Sequence, residues 1–286
     1  MSATVGERLR RASEAYAERL TGEAGGARFD VELLMAAALG TDRSGLLLRH
    51  MRDPAPEAFE PLFARLMRDE PVAYILGSAE FYGLFFEVSP SVLIPRADSE
   101  TAIEAARIAF AKAPPTRVLD CGTGSGALIL TALHLFPAAT GVAIDRSEAA
   151  LAVAARNAER LGLATRARFH HRDWEQPEWS HDLGGPFDLI LANPPYIEDE
   201  TELDASVREH EPHGALFAGA DGLDAYRILV PQLPGLLAPE GLALVEIGHR
   251  QAEAVMALGA LWNLDAHLHR DLADRPRIIA FSRILH

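Results

Sequence analysis

The residues best suited to chemistry in this chain are four consecutive ones, Asn193, Pro194, Pro195 and Tyr196. They follow Phe187–Ala192, an apolar run typical of a buried parallel strand. Proline has a fixed φ and no N–H, so the turn is stiff and its carbonyl oxygens lack local donors. These oxygens and the asparagine side chain would accept hydrogen bonds from a planar NH2 group, and the tyrosine ring would stack on it. We expect the turn to hold an amide or amino nitrogen for methylation.

A glycine-rich loop earlier in the chain is a candidate cofactor site. It runs from Asp120 to Gly126, directly after the strand Arg117–Cys121. Taken alone, it also satisfies the dinucleotide pattern Gly-x-Gly-x-x-Ala, so NAD and S-adenosylmethionine both stay open. Asp120 favours S-adenosylmethionine, because a carboxylate beside the loop would repel a pyrophosphate and attract a sulfonium.

Two later positions would complete the cofactor site. Asp145 ends the next strand at the spacing where an acidic residue binds ribose hydroxyls. Asp173 and Trp174, after the third strand, would offer a carboxylate to an adenine amino group and an aromatic wall. The predicted cofactor-binding residues are Asp120, Gly122, Thr123, Gly124, Gly126, Asp145, Asp173, Trp174 and Asn193.

Strands and helices alternate from Ser99 onward, which predicts a doubly wound, Rossmann-like α/β sheet. The seven predicted strands are Arg117–Cys121, Gly141–Asp145, Ala167–His171, Phe187–Ala192, Gly241–Glu246, Leu264–His269 and Arg277–Ser282. The last two strands come close together in the sequence, so one of them is expected to run antiparallel. We expect Ser99 to cap a helix that runs to about Ala113, and a later helix to cover Leu223–Leu237.

Three regions are predicted. Residues 1–72 show helical periodicity and are expected to form a small bundle that serves in packing or in docking a partner. Residues 73–95 are expected to form a β-hairpin linker from Ala73–Gly77 and Phe81–Val88, which are aromatic and β-branched. Residues 96–286 would form the α/β domain that carries the chemistry.

Composition narrows the function further. The chain has 286 residues, 49% of them hydrophobic, and a net charge of −14, which lowers the odds of a nucleic-acid partner. The sequence contains no run of eighteen apolar residues, so no membrane span is expected. Met1–Leu20 resembles a charged amphipathic helix more than a signal peptide. A single cysteine, Cys121, excludes an internal disulfide, makes a cysteine-based zinc site implausible and fits a reducing cytosol. We therefore expect a cytoplasmic protein without a metal.

Several further motifs accompany the glycine loop and the Asn-Pro-Pro-Tyr turn. They are Pro71–Gly77, Glu80–Gly83, Val92–Arg96, Asp173–Trp174, Glu211–Leu216, Asp221–Asp224, Glu246–Gly248 and Gln251. With these motifs, nearly the whole chain resembles the HemK/PrmC-type protein-(glutamine-N5) methyltransferases of peptide chain release factors. One departure is Ala97-Asp98-Ser99-Glu100, where the family usually has Pro-Glu-Thr-Glu; acid, hydroxyl and acid are kept.

The resemblance implies a seven-stranded methyltransferase domain that uses S-adenosyl-L-methionine and releases S-adenosyl-L-homocysteine. The methyl group would go to the side-chain amide nitrogen of the glutamine in a release factor's Gly-Gly-Gln loop, in support of translation termination. Asn193 and the Pro194 carbonyl would accept the two amide hydrogens, next to Pro195, and Tyr196 would pack on the amide plane. Neither a metal nor a covalent nucleophile would be needed.

Three other functions remain open at the level of sequence. A nucleic-acid methyltransferase acting on adenine N6 or guanine N2 uses the same turn, but it would need base flipping and is expected to show basic stripes. A cofactor-binding protein without activity would be expected to lack the intact acceptor and glycine motifs. An NAD-dependent oxidoreductase would need a hydride-transfer site, and no later segment suggests one.

Overall fold

The computed structural model describes residues 3–20 and 25–284. The helices are α1 (Val5–Ala17), α2 (Gly25–Ala38), α3 (Arg43–Gly45), α4 (Phe59–Leu66), α5 (Val72–Leu76), α6 (Glu100–Ala109), α7 (Ala127–Leu135), α8 (Glu148–Arg160), α9 (Ala205–His210), α10 (Asp224–Leu229), α11 (Leu233–Leu236) and α12 (Ala252–Ala260). The strands are β1 (Ser78–Phe81), β2 (Leu84–Glu87), β3 (Arg117–Cys121), β4 (Thr140–Asp145), β5 (Ala167–His171), β6 (Phe187–Ala192), β7 (Leu237–Glu246), β8 (Leu264–Arg270) and β9 (Pro276–Arg283). A π-helical turn, Leu46–His50, and three short 3₁₀ turns complete the regular structure around them. Met1 and Ser2 of the predicted N-terminal helix lie outside the described residues, as do the last two residues of the predicted α/β domain.

The chain divides into two compact units. The first comprises Met1–Gly77 together with Asp204–His210, and the second comprises Ser78–Leu203 together with Glu211–His286. The first unit is helical, and its core includes Val31, Leu34 and Phe59. The sequence placed Asp204–His210 inside the α/β domain, whereas the structure counts this segment with the helical unit.

The second unit is built on a seven-stranded sheet in the order β5-β4-β3-β6-β7-β9-β8. All pairs are parallel except those of β9, which runs antiparallel to both β7 and β8. The predicted fold class is confirmed, and so is the antiparallel strand at the end of the chain. The strand order reverses between β3 and β6, and ligands of such sheets bind at the carboxyl ends of the strands that flank this reversal.

Helices cover both faces of the sheet. On one face α6 and α7 bury Ile103, Ile129 and Leu133, and on the other α10 to α12 contribute Tyr226 and Val255. The central strands are apolar on both sides because both faces are covered, as expected for parallel strands. This burial holds the ends of β3 and β6 in a fixed register, with Cys121 opposite Ala192.

The prediction that Ala73–Gly77 forms the first arm of a hairpin is wrong. Val72–Leu76 forms the short helix α5, which begins after Pro71 and ends at Gly77 in a left-handed conformation. The hairpin is instead β1 paired with β2, joined by Tyr82 and Gly83 with φ of 51° and 76°. Two consecutive residues with positive φ are characteristic of a two-residue hairpin turn.

Two helix predictions also need correction. Ser99 precedes α6 but makes no capping bond; its hydroxyl donates to Glu246, and the helix ends at Ala109. The helix predicted over Leu223–Leu237 breaks into α10, a 3₁₀ turn and α11, because Pro231 and Pro234 cannot continue an α-helix in its interior. The following strand begins at Leu237, four residues before the predicted start at Gly241.

Candidate active site

The glycine loop lies between β3 and α7, and its backbone is fixed to the neighbouring strand. The amides of Gly122 and Thr123 both donate to the Ile144 carbonyl, at 2.9 Å each. Gly122 has φ of +77°, and a Cβ atom at this position would lie 3.0 Å from the Trp174 ring. The loop therefore needs glycine here for two reasons, the backbone conformation and the close approach of the indole.

Asp120 lies beneath this loop. It is buried, one carboxylate oxygen accepts the Thr123 hydroxyl at 2.7 Å, and Oδ1 has no hydrogen-bond partner. Burial, reinforced by the nearby charge of Asp145, raises the pKa of Asp120 to about 7, although the Thr123 bond acts in the opposite direction. Asp120 does not line the cavity described below, so its influence on a bound cofactor would be exerted through Thr123 and through its charge.

Asp145 ends β4 and does line the cavity. One of its carboxylate oxygens accepts the Gly124 amide and the other accepts the Ser147 amide, both at 2.9 Å. A carboxylate oxygen has more than one lone-pair site, so each retains capacity for a ribose hydroxyl. Asp145 thus joins the glycine loop to the start of α8 while facing the position where a ribose would lie.

Asp173 and Trp174 follow β5 and also line the cavity. Asp173 Oδ1 accepts the Glu175 amide at 3.0 Å, which fixes the carboxylate at the beginning of this turn. The Trp174 carbonyl accepts a hydrogen bond from Gln232 at 3.2 Å. The indole is partly buried and lies next to Gly122, and its contact with an adenine stays a prediction.

The turn after β6 lies beside the glycine loop because β3 and β6 are neighbours. Asn193 and Pro195 line the cavity, whereas Pro194 and Tyr196 lie outside its lining. The Tyr196 hydroxyl donates to Glu246 at 3.4 Å, and burial raises the pKa of this phenol. The packing of Tyr196 on a bound amide stays a prediction.

One cavity of about 380 Å³ brings most of the predicted residues together. Predicted residues in its wall are Gly122, Thr123, Gly124, Asp145, Asp173, Trp174, Asn193 and Pro195. Gly126 is not among them: it precedes α7 with φ of +82°, and a Cβ atom there would lie 3.0 Å from Leu130. Glycine is needed here for the backbone conformation and for packing against Leu130, and cofactor binding by Gly126 stays a prediction.

The sequence missed three side chains that hold the site together. Ser99 and Glu246 form a hydrogen bond behind Asn193. Glu211 is buried, accepts the Ile94 amide at 3.2 Å and pairs with Arg96, which lines the cavity. The only indication of these residues in the sequence was that they lie in or beside the motifs on which the family resemblance rests. Their partners are more than a hundred positions away in the chain, and no local pattern predicts such pairs.

Within residues 3–20 and 25–284, no group of three or more His, Cys, Asp or Glu side chains is arranged to hold a metal ion. The helices in these ranges include none that is long and apolar enough to cross a membrane. Cys121, the one cysteine, is buried, and burial raises the pKa of its thiol well above the usual value.

The chain is similar to named proteins over most of its length. It is 41% identical over 268 residues to the release factor glutamine methyltransferase of Bradyrhizobium diazoefficiens, covering 90% of this chain and 89% of that protein. It is 40% identical to the release factor glutamine methyltransferase of Moorella thermoacetica, covering 98% and 97%. The chain belongs to the release factor glutamine methyltransferase family.

Two domain families match parts of this chain. Residues 11–77 match the PrmC N-terminal domain, and residues 112–246 match a methyltransferase domain. The crystal structure of a methyltransferase from Pyrococcus furiosus shares the fold, with a TM-score of 0.53 at 18% identity, over 77% of this chain and 98% of that one.

Members of this family use S-adenosyl-L-methionine as the methyl donor, and the cavity fits it. Asp145 stands where ribose hydroxyls would bind, Trp174 supplies a flat apolar wall, and Asp120 lies under the loop with one unpartnered oxygen. Because the chain belongs to a methyltransferase family, the hypothesis that the glycine loop binds NAD is not supported. The nucleic-acid alternative is not favoured.

Proposed function

We propose that this protein transfers a methyl group from S-adenosyl-L-methionine to the side-chain amide nitrogen of the glutamine in a release factor's Gly-Gly-Gln loop. The observation that carries the proposal is the shared cavity, in which Asn193 and Pro195 face the cofactor loop and Asp145. A site for a methyl donor and an acceptor turn for a planar NH2 group thus open on the same space. A cytoplasmic location is part of the proposal, since release factors act during translation.

The methyl donor, when bound, supplies an electrophilic methyl group on a positively charged sulfur. The chain's own contribution is to hold the acceptor. An amide nitrogen is a weak nucleophile because its lone pair is delocalised into the carbonyl group. Asn193 Oδ1 and the Pro194 carbonyl would accept the two amide hydrogens and thereby fix the nitrogen. Positioning of this kind can contribute about 7–11 kcal/mol to lowering a barrier.

The stiffness of the turn matters for this task. Pro194 and Pro195 each have a restricted φ, and the Gln251 side chain donates to the Tyr196 carbonyl at 3.0 Å. The same Gln251 side-chain amide also donates a hydrogen bond to the Gly222 carbonyl, at 3.1 Å. The acceptor groups are thus ordered before the substrate arrives, and little conformational entropy is lost on binding.

The test uses labelled S-adenosylmethionine with four acceptors in parallel: a release factor, the same factor with its loop glutamine changed to alanine, tRNA and duplex DNA. Label is expected in the intact release factor alone. Label in tRNA or DNA would contradict the proposal and would mean that the turn holds a base.

Asn193→Ala provides the matching test of the site. It should lower methyl transfer by about 100-fold or more, because the amide hydrogen acceptor is lost. S-adenosylmethionine affinity, measured by calorimetry, should remain nearly unchanged. A variant that keeps most of its turnover would contradict the role given to this turn.

We also propose that the helical unit docks the protein substrate. Support comes from its match to the PrmC N-terminal domain and from Leu48, an apolar side chain that is 82% exposed. Leu48→Glu should raise KM for the whole release factor but not for a short Gly-Gly-Gln peptide. Leu261→Glu is the control, because Leu261 is 76% exposed but lies in the second unit. Equal effects of the two substitutions would contradict the docking role.

A further inference from the structure

A buried carboxyl group stands directly behind the acceptor turn. Glu246 ends β7, which is paired with β6, and it is 2% exposed. Its Oε2 accepts the Ser99 hydroxyl at 2.5 Å, and its Oε1 accepts the Tyr196 hydroxyl at 3.4 Å. Glu246 is not part of the cavity wall, so the methyl-transfer step leaves this carboxyl without an assigned role.

Ser99 connects this carboxyl to the acceptor asparagine. Asn193 Nδ2 donates to Ser99 Oγ at 3.3 Å, and Ser99 in turn donates to Glu246. An ionised carboxylate can only accept, so the single hydroxyl hydrogen of Ser99 is directed to Glu246. Ser99 then offers Asn193 only lone pairs, which bind the NH2 end of the amide and leave Oδ1 for the cavity.

We propose that Ser99 and Glu246 are positioning residues that orient the Asn193 amide, so that its oxygen faces the cavity and accepts a hydrogen from the substrate's amide nitrogen. The inference rests on the proposed role of Asn193 and assigns the side chains that fix its orientation. An asparagine turned the other way would present its own NH2 group to the substrate's NH2 group. Two donors would then face each other, and the substrate amide would be repelled instead of held.

The surroundings of Glu246 make this orientation sensitive to pH. The charged and titratable groups around the carboxyl are Arg277, Asp98, Tyr196 and Tyr226. Arg277 is engaged by Asp98 at 2.8 Å and by Asp271 at 3.6 Å, and Tyr226 donates to the Glu246 main-chain oxygen at 2.9 Å.

Burial raises the pKa of Glu246 to about 7, against the Ser99 bond and the Arg277 charge, which both act to lower it. Once protonated, Glu246 can donate to Ser99 Oγ. The Ser99 hydrogen is then free to bind Asn193 Oδ1, and the amide is no longer held in the productive orientation. Methyl transfer should therefore fall as the pH drops below about 7.

The experiment compares Ser99→Ala, Ser99→Thr and Glu246→Gln with the wild type, measuring kcat, KM and their pH dependence with a release factor. Ser99→Ala should lower kcat about 10-fold, with S-adenosylmethionine affinity unchanged. Ser99→Thr keeps the hydroxyl and should restore both the rate and the acid limb of the pH profile. In Glu246→Gln, measured in an Asp120→Asn background so that Glu246 is the buried carboxyl under test, the acid limb near pH 7 should disappear, because the titrating group has been removed.

Thr131→Val controls for the loss of a buried hydroxyl, since Thr131 is buried in α7 and its hydroxyl has no partner. A Ser99→Ala variant with wild-type kcat and an intact acid limb would overturn the inference. If Ser99→Ala does not fold, the pH profile of Glu246→Gln decides instead, measured in an Asp120→Asn background because burial also raises the pKa of Asp120 to about 7. An acid limb that persists in the double variant would overturn the inference. A wild-type protein that leaves release factors unlabelled would instead overturn the proposed function, and with it this inference.

Discussion

Gly122 shows how narrowly a single residue can be specified. Its left-handed backbone alone would disfavour a side chain, and the Trp174 ring occupies the space that a Cβ atom would need. The two constraints are separable, because other glycines in the chain have the first without the second. Gly162, with φ of +70° and no heavy atom within 4 Å of a built Cβ, is such a position.

Gly122→Ala should therefore weaken S-adenosylmethionine binding by about 10-fold or more, because the displaced indole no longer forms the cavity wall. Calorimetric titration of the cofactor measures this effect. Gly162→Ala should cost a similar conformational energy, about 1–2 kcal/mol for a non-glycine residue in the left-handed region, and leave binding unchanged. Equal binding losses in the two variants would show that the effect comes from general destabilisation and not from Trp174.

At this scale the sequence predicted the residues that local pattern determines. Asp145 and Asn193 could be predicted because one ends a recognisable strand and the other directly follows one, and both lie in the cavity wall. Ser99, Glu246 and Glu211 could not, since their roles depend on partners brought together only by the folded sheet. Ser99 was assigned to a helix cap because serine often caps, but its backbone is already helical, with φ of −67° and ψ of −17°, and its Oγ is directed to Glu246 instead of the first-turn amides.

The hairpin is connected to the glycine loop through a single side chain of α8. Asn157 of α8 accepts the Glu87 amide at 2.7 Å and donates to the Glu87 carbonyl at 3.0 Å and to the Ser125 carbonyl at 2.9 Å. One buried side chain thus satisfies three backbone groups, two in β2 and one in the cofactor loop. The hairpin and the loop are held in register through α8.

Asn157→Leu should reduce the free energy of unfolding by about 2–4 kcal/mol, because buried backbone groups lose their partners. Urea denaturation measures the loss, and hydrogen exchange should show the amides of β1 and β2 opening first. Arg156→Gln is the matched control on the same helix: its ion pair with Glu87 is partly exposed, so less than about 1 kcal/mol is expected. A loss for Asn157→Leu no greater than that of the control would contradict the proposed coupling.

Strand positions were the most predictable elements. β3, β5 and β6 have the predicted limits. For β3 and β6 the reason is a mainly apolar, buried run, which is typical of parallel strands covered on both faces. The hairpin arm at Ala73–Gly77 failed for the opposite reason, since a five-residue apolar run is compatible with either a strand or a helix. Burial of Tyr74 and Ile75 decided for helix, and that contact depends on tertiary structure.

For the whole molecule, two buried carboxyls give stability a specific dependence on pH. Burial raises the pKa of both Asp120 and Glu246 to about 7. The folded chain therefore keeps protons that the unfolded chain loses near pH 4, and these two groups lower the unfolding free energy as the pH rises from about 4 to 7. Above pH 7 their contribution is constant.

Asp120→Asn should reduce the drop in unfolding free energy between pH 5 and pH 8 by about 2–3 kcal/mol, as read from urea denaturation at both values. Glu104→Gln is the control: its Arg107 partner lowers the pKa of Glu104, so its titration lies below this range. An Asp120→Asn variant with the wild-type slope would show that Asp120 stays ionised in the folded chain.

The path of the chain between the two units has a consequence for how the protein can be divided. After the acceptor turn the chain enters the helical unit at Asp204, where His210 bonds to the Arg68 carbonyl at 3.2 Å, and it returns to the second unit at Glu211. The helical unit is therefore discontinuous in sequence. Cutting the gene after Gly77 would separate α9 from the rest of the helical unit. α9 lies in the segment of chain that leads from Asn193 to Glu211. In genetic terms, the two units are not modules that a single recombination event could separate, because the helical unit includes a segment inserted between Asn193 and Glu211 of the second unit.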